Sequence, residues 1–151
     1  MSARTIRMWM AAIAATASVA IAPLAAQSAG TPLGSVQLPR PVTADGKPLA
    51  AGSYTLRLSD DPVAPVVGQS PQASHWVEFV RGGQVKGREL ATVVSAADVK
   101  AVAKMAPPAA GSARVQMLKG EDYVRVWIHR GGTHYLIHLA VAAPPMQMNR
   151  R

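Results

Sequence analysis

Cysteine is absent from the chain of 151 residues. This absence excludes disulfide bonds, thiol nucleophiles, thiolate metal sites and an N-terminal cysteine that carries a lipid. A chain of this length is sufficient for one domain and too short for two large ones. We therefore expect a single domain that is stabilised by its hydrophobic core without covalent crosslinks.

Acidic residues are also scarce, with 8 Asp and Glu against 16 Lys and Arg, which gives a formal net charge of +8. Most of the carboxylates stand in predicted turns or beside basic residues, so no pair is suited to general acid and base catalysis. The nucleophile motif Gly-x-Ser-x-Gly is absent as well, because Gly68-Gln69-Ser70-Pro71 lacks the second glycine. We expect the protein not to be an enzyme; an unrecognised envelope hydrolase remains the second alternative.

The first 26 residues have the organisation of a secretory signal peptide. Arg4 and Arg7 precede Met8–Ala22, an apolar stretch of 15 residues, and Leu24-Ala25-Ala26 supplies a small-residue cleavage site. A membrane-spanning helix needs about 20 apolar residues. The sequence therefore predicts a periplasmic or secreted protein that does not span the membrane after cleavage.

Beyond the signal peptide, apolar residues alternate with polar ones and are interrupted by Gly and Pro. This period of two predicts strands, whereas Ser95 and the residues after it predict one short helix at about 96–104. We divide the chain into a signal peptide (1–26), a flexible segment (27–34), one β domain (35–142) and a disordered tail (143–151). The predicted strands are 35–38, 53–59, 76–81, 84–86, 89–94, 113–117, 123–129 and 134–140.

The predicted fold is all-β, because helices do not alternate with the strands as they do in layered α/β folds. We expect a small antiparallel β-sandwich or an open barrel with one short helix and a C-terminal meander of three strands. Gly82-Gly83 and Gly131-Gly132 each join two predicted strands as two-residue hairpin turns. Residues 60–74 contain three prolines and form the long loop of this arrangement.

Residues 45–56 resemble a strand element of the pattern Gly-Lys-x-Leu-x-Ala-Gly-x-Tyr-x-Leu. That element recurs in small exported bacterial β-sandwich domains, including transthyretin-like and immunoglobulin-like ones, and the mature chain is similar to a group of uncharacterised exported bacterial proteins. The resemblance implies a β-sandwich and no particular activity. In this element we expect Leu49, Tyr54 and Leu56 to point into the core.

The C-terminal hairpin has a register that follows from its turn. With Gly131-Gly132 as the turn, His129 lies opposite His134, and Arg125 lies opposite His138. Strand alternation then places the apolar residues of both strands on one face, which must be the core face. These residues are Val124, Val126, Ile128, Tyr135, Ile137 and Leu139.

The opposite face of this hairpin is the candidate ligand-binding site. Its aromatic, imidazole and guanidinium groups can stack on a sugar or an aromatic ring and donate hydrogen bonds to an anion. Alternatively, the face is simply solvated, or the loop Asp60–Ser74 covers it with Trp127 packed beneath. The candidate residues are Tyr123, Arg125, Trp127, His129, His134 and His138.

A second interpretation of this face is a metal site at His129 and His134. Directly opposed residues have Cβ atoms about 5 Å apart, which is close enough to share one ion. His138 lies roughly 13 Å further along the strand and cannot complete the site. Because ordinary zinc and copper sites have three or four ligands, this pair predicts weak binding only. No cofactor is expected.

The basic excess is spread over several predicted strands and lacks a nucleic-acid-binding motif. Nucleic acid is also not expected outside the cytoplasm. The charge either maintains solubility or attracts anionic lipid head groups and envelope polymers. The sequence therefore favours a non-enzymatic exported binding or interaction module of the bacterial cell envelope, with an envelope protein or a glycan as its partner.

Overall fold

The computed structural model describes residues 30–143, so the predicted signal peptide and residues 144–151 of the predicted tail lie outside the described residues. In the described range, no helix has the length and apolar character needed to cross a membrane. The elements are β1 (Pro32–Leu38), β2 (Val42–Ala44), β3 (Lys47–Leu49), β4 (Gly52–Leu58), β5 (Ser74–Arg81), β6 (Gln84–Ser95), α1 (Val99–Val102), β7 (Ala113–Met117), β8 (Tyr123–Arg130) and β9 (Thr133–Val141).

The strands form one antiparallel sheet that curls into a nearly closed barrel. Hydrogen-bonded neighbours follow the order β1-β4-β5-β6-β9-β8-β7, and β7 lies alongside β1. The small hairpin of β2 and β3 extends the sheet, because Val42 pairs with Val141 and Thr43 with Ala140. The all-β prediction is therefore confirmed, with the architecture close to an open barrel and with the predicted C-terminal meander formed by β7, β8 and β9.

The barrel interior is filled by the alternate residues of the strands. Phe79 is fully buried and contacts the edge of Tyr54, with ring centroids 6.0 Å apart. The Tyr54 hydroxyl donates a hydrogen bond to the Ala50 carbonyl at 2.8 Å, so the polar end of this buried ring has a partner. Leu49, Tyr54 and Leu56 all lie in this core, as their positions in residues 45–56 predicted.

The strands differ from the prediction in several places. The short strands β2 and β3 were not predicted, and β5 begins at Ser74 instead of residue 76. Residues 32–34, predicted to be flexible, belong to β1, because Leu33 is buried in the core. The two strands predicted at 84–86 and 89–94 are one continuous strand, β6. A β-bulge explains the irregular pattern: Phe79 pairs with Gly87 and Val80 pairs with Val85, so one residue between them has no partner.

The predicted helix at 96–104 is wrong in extent, since α1 covers only Val99–Val102 and residues 96–98 form a turn. The Ser95 hydroxyl accepts a hydrogen bond from the Asp98 amide at 3.2 Å, so Ser95 stabilises this turn instead of the helix start. The helix ends after Val102, because Ala103 already has extended backbone angles of φ −115° and ψ 109°. A single turn is enough to bury Val99 and Ala103 on the same side.

The turn between β8 and β9 generates a prediction about backbone conformation. Gly131 and Gly132 have φ values of 59° and 75°, as in a type I′ turn. Asparagine tolerates this conformation, so Gly131→Asn should change the free energy of unfolding by less than about 0.5 kcal/mol. Gly131→Val should lower it by about 1–2 kcal/mol, because a β-branched residue is strained there. Urea unfolding of both variants tests the turn, and equal stability of the two would contradict it.

Candidate functional site

The six candidate residues share one face of the barrel, as the hairpin register predicted. His129 pairs with His134, Trp127 with Leu136, and Arg125 with His138. The alternate residues of both strands, including Val126 and Ile137, lie in the main core. The candidates therefore all lie on the outer face of β8 and β9, and this face has a buried part and an exposed part.

The buried part is a second hydrophobic cluster outside the barrel. Trp127 is 0% exposed and His134 is 2% exposed, although both point away from the main core. Trp127 packs with Leu136 of β9 and Val94 of β6 beneath apolar residues of α1 and the chain that follows. We call residues 99–108 the cap. The predicted cover by loop 60–74 is wrong, because the cluster is closed by Val99 and Ala103 of the cap.

A hydrogen bond between two buried side chains determines the protonation of His134. Trp127 Nε1 donates to His134 Nδ1 at 3.0 Å. An indole nitrogen can only donate, so His134 Nδ1 is unprotonated and the neutral ring carries its proton on Nε2. Burial and the neighbouring charge of His129 both lower the pKa of His134, which favours the same neutral form.

His129 connects the strand to the cap. Its Nδ1 lies 3.0 Å from the carbonyl oxygen of Pro108, and because a carbonyl only accepts, this nitrogen carries a proton. The His129 and His134 rings stack with centroids 4.0 Å apart and planes inclined by 25°. The two imidazoles thus hold the end of the cap against β8 and β9.

This stacked arrangement is unsuited to chelation of one metal ion by His129 and His134. A metal lies in the plane of each imidazole ligand at about 2.0–2.1 Å from nitrogen. The lone pairs of two stacked rings run side by side, so one ion cannot lie in both planes at that distance. Within residues 30–143, no group of three or more His, Asp or Glu side chains is arranged to hold a metal ion.

The exposed part of the face consists of Tyr123 and His138 together with Arg125, which is half-buried. Tyr123 is 50% exposed, and Arg125 Nε donates a hydrogen bond to His138 Nε2 at 3.1 Å. This bond requires an unprotonated Nε2, and burial followed by the charge of Arg125 lowers the pKa of His138. Among the described residues, no carboxylate forms an ion pair with Arg125. Its guanidinium is therefore oriented and available to an anion.

Charge is unevenly distributed along the described chain. Residues 30–98 contain six cations and six anions, whereas residues 99–143 contain six cations and two anions. The ion pairs within residues 30–143 use Arg40, Arg57 and Arg88, so none of the six cations after residue 98 has an acidic partner there. The uncompensated charge of the domain is consequently concentrated in α1, the chain after it and β7–β9.

Four of these cations lie on the same outer face. Arg125 and Arg114 occupy outward positions of β8 and β7, and Arg114 Nη1 donates to the Ala106 carbonyl at 2.8 Å. Lys100 and Lys104 are exposed on the cap. We call Lys100, Lys104, Arg114 and Arg125 the basic face. Sequence reasoning did not group them, although the absence of any acidic residue between Asp98 and Glu121 is a visible signal.

A separate cleft of about 410 Å³ lies beside loop 60–74 and is lined in part by Ser59, Asp60, Ser74 and His75. It is the natural place to look for hydrolase chemistry. Ser74 and His75 are consecutive residues of β5, so their side chains point to opposite faces of the sheet. The nearby Asp61 carboxylate is in an ion pair with Arg88. This cleft therefore shows no nucleophile and base in contact.

No protein-family model matches the chain, and neither a curated protein nor a solved structure is significantly similar to it.

Replacing Trp127 tests the second hydrophobic cluster. Trp127→Ala should lower the free energy of unfolding by about 3–5 kcal/mol, because it removes a fully buried ring and leaves a cavity. Tyr123→Ala on the same strand is the matched control and should cost less than about 1 kcal/mol, because Tyr123 is half exposed. Urea unfolding followed by circular dichroism measures both, and equal losses would show that the cap does not bury Trp127.

Acid should destabilise the fold. The pKa values of His134 and His138 are both lowered from their ordinary value of 6.5, so in acid the unfolded chain binds more protons than the folded chain. The contribution to stability is therefore complete above pH 6.5 and is lost as the pH falls below that value. Urea midpoints measured at about pH 7.5 and about pH 5 should decrease in acid.

The control for this pH dependence is His134→Asn, because the amide oxygen can still accept the Trp127 hydrogen bond and does not titrate. Its midpoint should decrease less in acid than that of the unchanged protein. A midpoint that is constant or rises in acid would contradict the assigned neutral imidazoles.

Proposed function

We propose that the protein is a non-enzymatic binding module of the bacterial cell envelope and that its ligand is anionic. The observation that carries this proposal is the basic face: Lys100 and Lys104 on the cap and Arg114 and Arg125 on β7 and β8 have no acidic partner among the described residues. Clustered cations raise the local positive potential and attract anions. A carboxylate or phosphate is the group that this face would bind.

Arg125 is the centre of the proposed site. A guanidinium binds carboxylate and phosphate through paired hydrogen bonds, and fixing its orientation in advance reduces the entropy that binding costs. His138 provides that orientation through its hydrogen bond to Arg125 Nε. Tyr123 lies two residues away on the same face of β8 and offers a ring on which a sugar can stack.

The engaged state of the imidazoles supports a role without catalysis. His134 accepts from Trp127, His129 contacts the Pro108 carbonyl, and His138 accepts from Arg125. Each of these rings therefore has a structural partner at one nitrogen, and His134 is buried as well. His129 and His134 position the cap, and His138 positions Arg125. Imidazoles that position other groups in this way are consistent with a binding site.

The predicted signal peptide over residues 1–26 supports export to the periplasm or the exterior. The resemblance of residues 45–56 to exported transthyretin-like and immunoglobulin-like domains agrees with that location. In the envelope, acidic glycans, anionic lipids and acidic protein surfaces carry the required charge. The proposal therefore names an anionic envelope component as the partner.

Titration with an acidic oligosaccharide tests the proposal, because such a probe reports the charge of the site. Calorimetry of the purified protein at low salt should detect binding to an oligogalacturonate and none to a neutral oligosaccharide of equal length. Arg125→Gln should weaken binding by about tenfold to a hundredfold, since a hydrogen bond to a charged group contributes about 1.5–3 kcal/mol.

Lys86→Gln is the matched control, because Lys86 is exposed on β6 outside the basic face and the change in net charge is the same. Its affinity should stay close to that of the unchanged protein. Equal losses for Arg125→Gln and Lys86→Gln, or equal binding of the neutral oligosaccharide, would contradict a site on the basic face.

A further inference from the structure

The cap exposes apolar side chains next to its two lysines. Val102 and Met105 are each 53% exposed. The inward side of the cap is already occupied, since Val99 and Ala103 pack against the Trp127 cluster. Val102 and Met105 therefore have no place in either hydrophobic cluster of the described residues. In sequence, Val102 lies between Lys100 and Lys104, and Met105 directly follows Lys104.

A groove of about 400 Å³ runs along this part of the cap. Its lining combines the two ammonium groups with apolar walls: Lys100, Ala103, Lys104, Met105, Ala106 and Pro107. An anionic head group fits the ammonium groups, and an apolar chain fits the methionine and proline walls. The groove therefore suits an amphiphile with a negatively charged head.

The cap is held rigidly enough to present this surface as a unit. Its Pro108 carbonyl contacts His129, and its Ala106 carbonyl accepts a hydrogen bond from Arg114. Beneath it, Ala103 packs in the Trp127 cluster. The exposed groups thus project from a segment that is tied to β7 and β8, and binding need not first order a flexible loop.

We propose that the cap docks on an anionic phospholipid surface, with Lys100 and Lys104 at the phosphates and Val102 and Met105 inserted between the head groups. This inference rests on the proposed function and names its partner. A soluble polyanion would use the lysines and leave the two apolar side chains in water. A lipid surface uses both, since interfacial segments combine cations with apolar groups buried about 5–10 Å deep.

Co-sedimentation with vesicles tests the contribution of Lys100 and Lys104 to lipid binding. The full protein should bind vesicles of phosphatidylcholine mixed with phosphatidylglycerol, and it should not bind phosphatidylcholine alone. Lys100→Gln with Lys104→Gln should weaken binding roughly thirtyfold, because each lysine near an anionic surface contributes about 1 kcal/mol, or about fivefold. The matched control is Lys47→Gln with Lys86→Gln, two exposed lysines outside the cap whose replacement should leave vesicle binding nearly unchanged.

A second double variant tests the contribution of the apolar side chains Val102 and Met105. Val102→Ser with Met105→Ser should weaken vesicle binding about tenfold or more, because it removes the apolar area that enters the lipid. The same variant should bind the oligogalacturonate as the unchanged protein does, and an unaltered circular dichroism spectrum confirms that it is folded.

The two probes separate the failure of this inference from that of the proposed function. Oligogalacturonate binding without vesicle binding, or vesicle binding that the serine variant retains in full, would overturn lipid docking and leave the anion-binding function intact. Binding of neither probe would overturn both. Vesicle binding that is lost in the lysine and serine variants and kept in the control supports the docking of the cap.

Discussion

The hydrogen bond from the Trp127 indole to His134 determines how the outer face of the barrel is built. Both groups would otherwise be solvated, and a buried indole N–H or imidazole without a partner is costly. By pairing with each other at 3.0 Å, they can be covered by apolar residues of the cap. The strand pair β8 and β9 therefore buries side chains on both of its faces: toward the barrel interior, and at Trp127 and His134 beneath residues 99–108.

The packing of the cap over Trp127 explains the position of the cations of the basic face. Because Val99 and Ala103 are anchored over Trp127, Lys100 and Lys104 face outward on the same side as Arg114 and Arg125. Six of the eight carboxylates lie in residues 30–98, where Glu78 pairs with Arg57 and Asp61 with Arg88. The basic face is thus a consequence of how the cap packs as well as of composition.

Period-two alternation was sufficient to predict the all-β class and the register of β8 and β9, because both strands assign their apolar residues to the same face. It could not predict whether the opposite face is covered. The cover of Trp127 comes from Val99 and Ala103, which are more than twenty positions earlier in the chain. Local preferences also overestimated α1, because the alanines and lysines of residues 96–104 favour a helix and the burial of only two residues requires one turn.

The candidate site, like the fold, could be predicted only where it follows from the alternation and register of the strands. The contact between Arg125 and His138 follows directly from the hairpin register, and the structure contains it. The association of these residues with Lys100 and Lys104 depends on the long-range packing of the cap, which no local pattern encodes. The β-bulge at Lys86 was also not predicted. Gly87 and the charged residues beside it have the composition of a turn, whereas the strand continues through them.

Measuring the protonation state of His134 is the most direct test of the hydrogen bond that the Trp127 indole donates to His134. Long-range proton–nitrogen correlation spectra of the protein at neutral pH should show a neutral His134 ring with its proton on Nε2, together with a Trp127 indole proton that exchanges slowly with water. A His134 ring that carries a proton on Nδ1, or an indole proton that exchanges as fast as that of an exposed tryptophan, would contradict it.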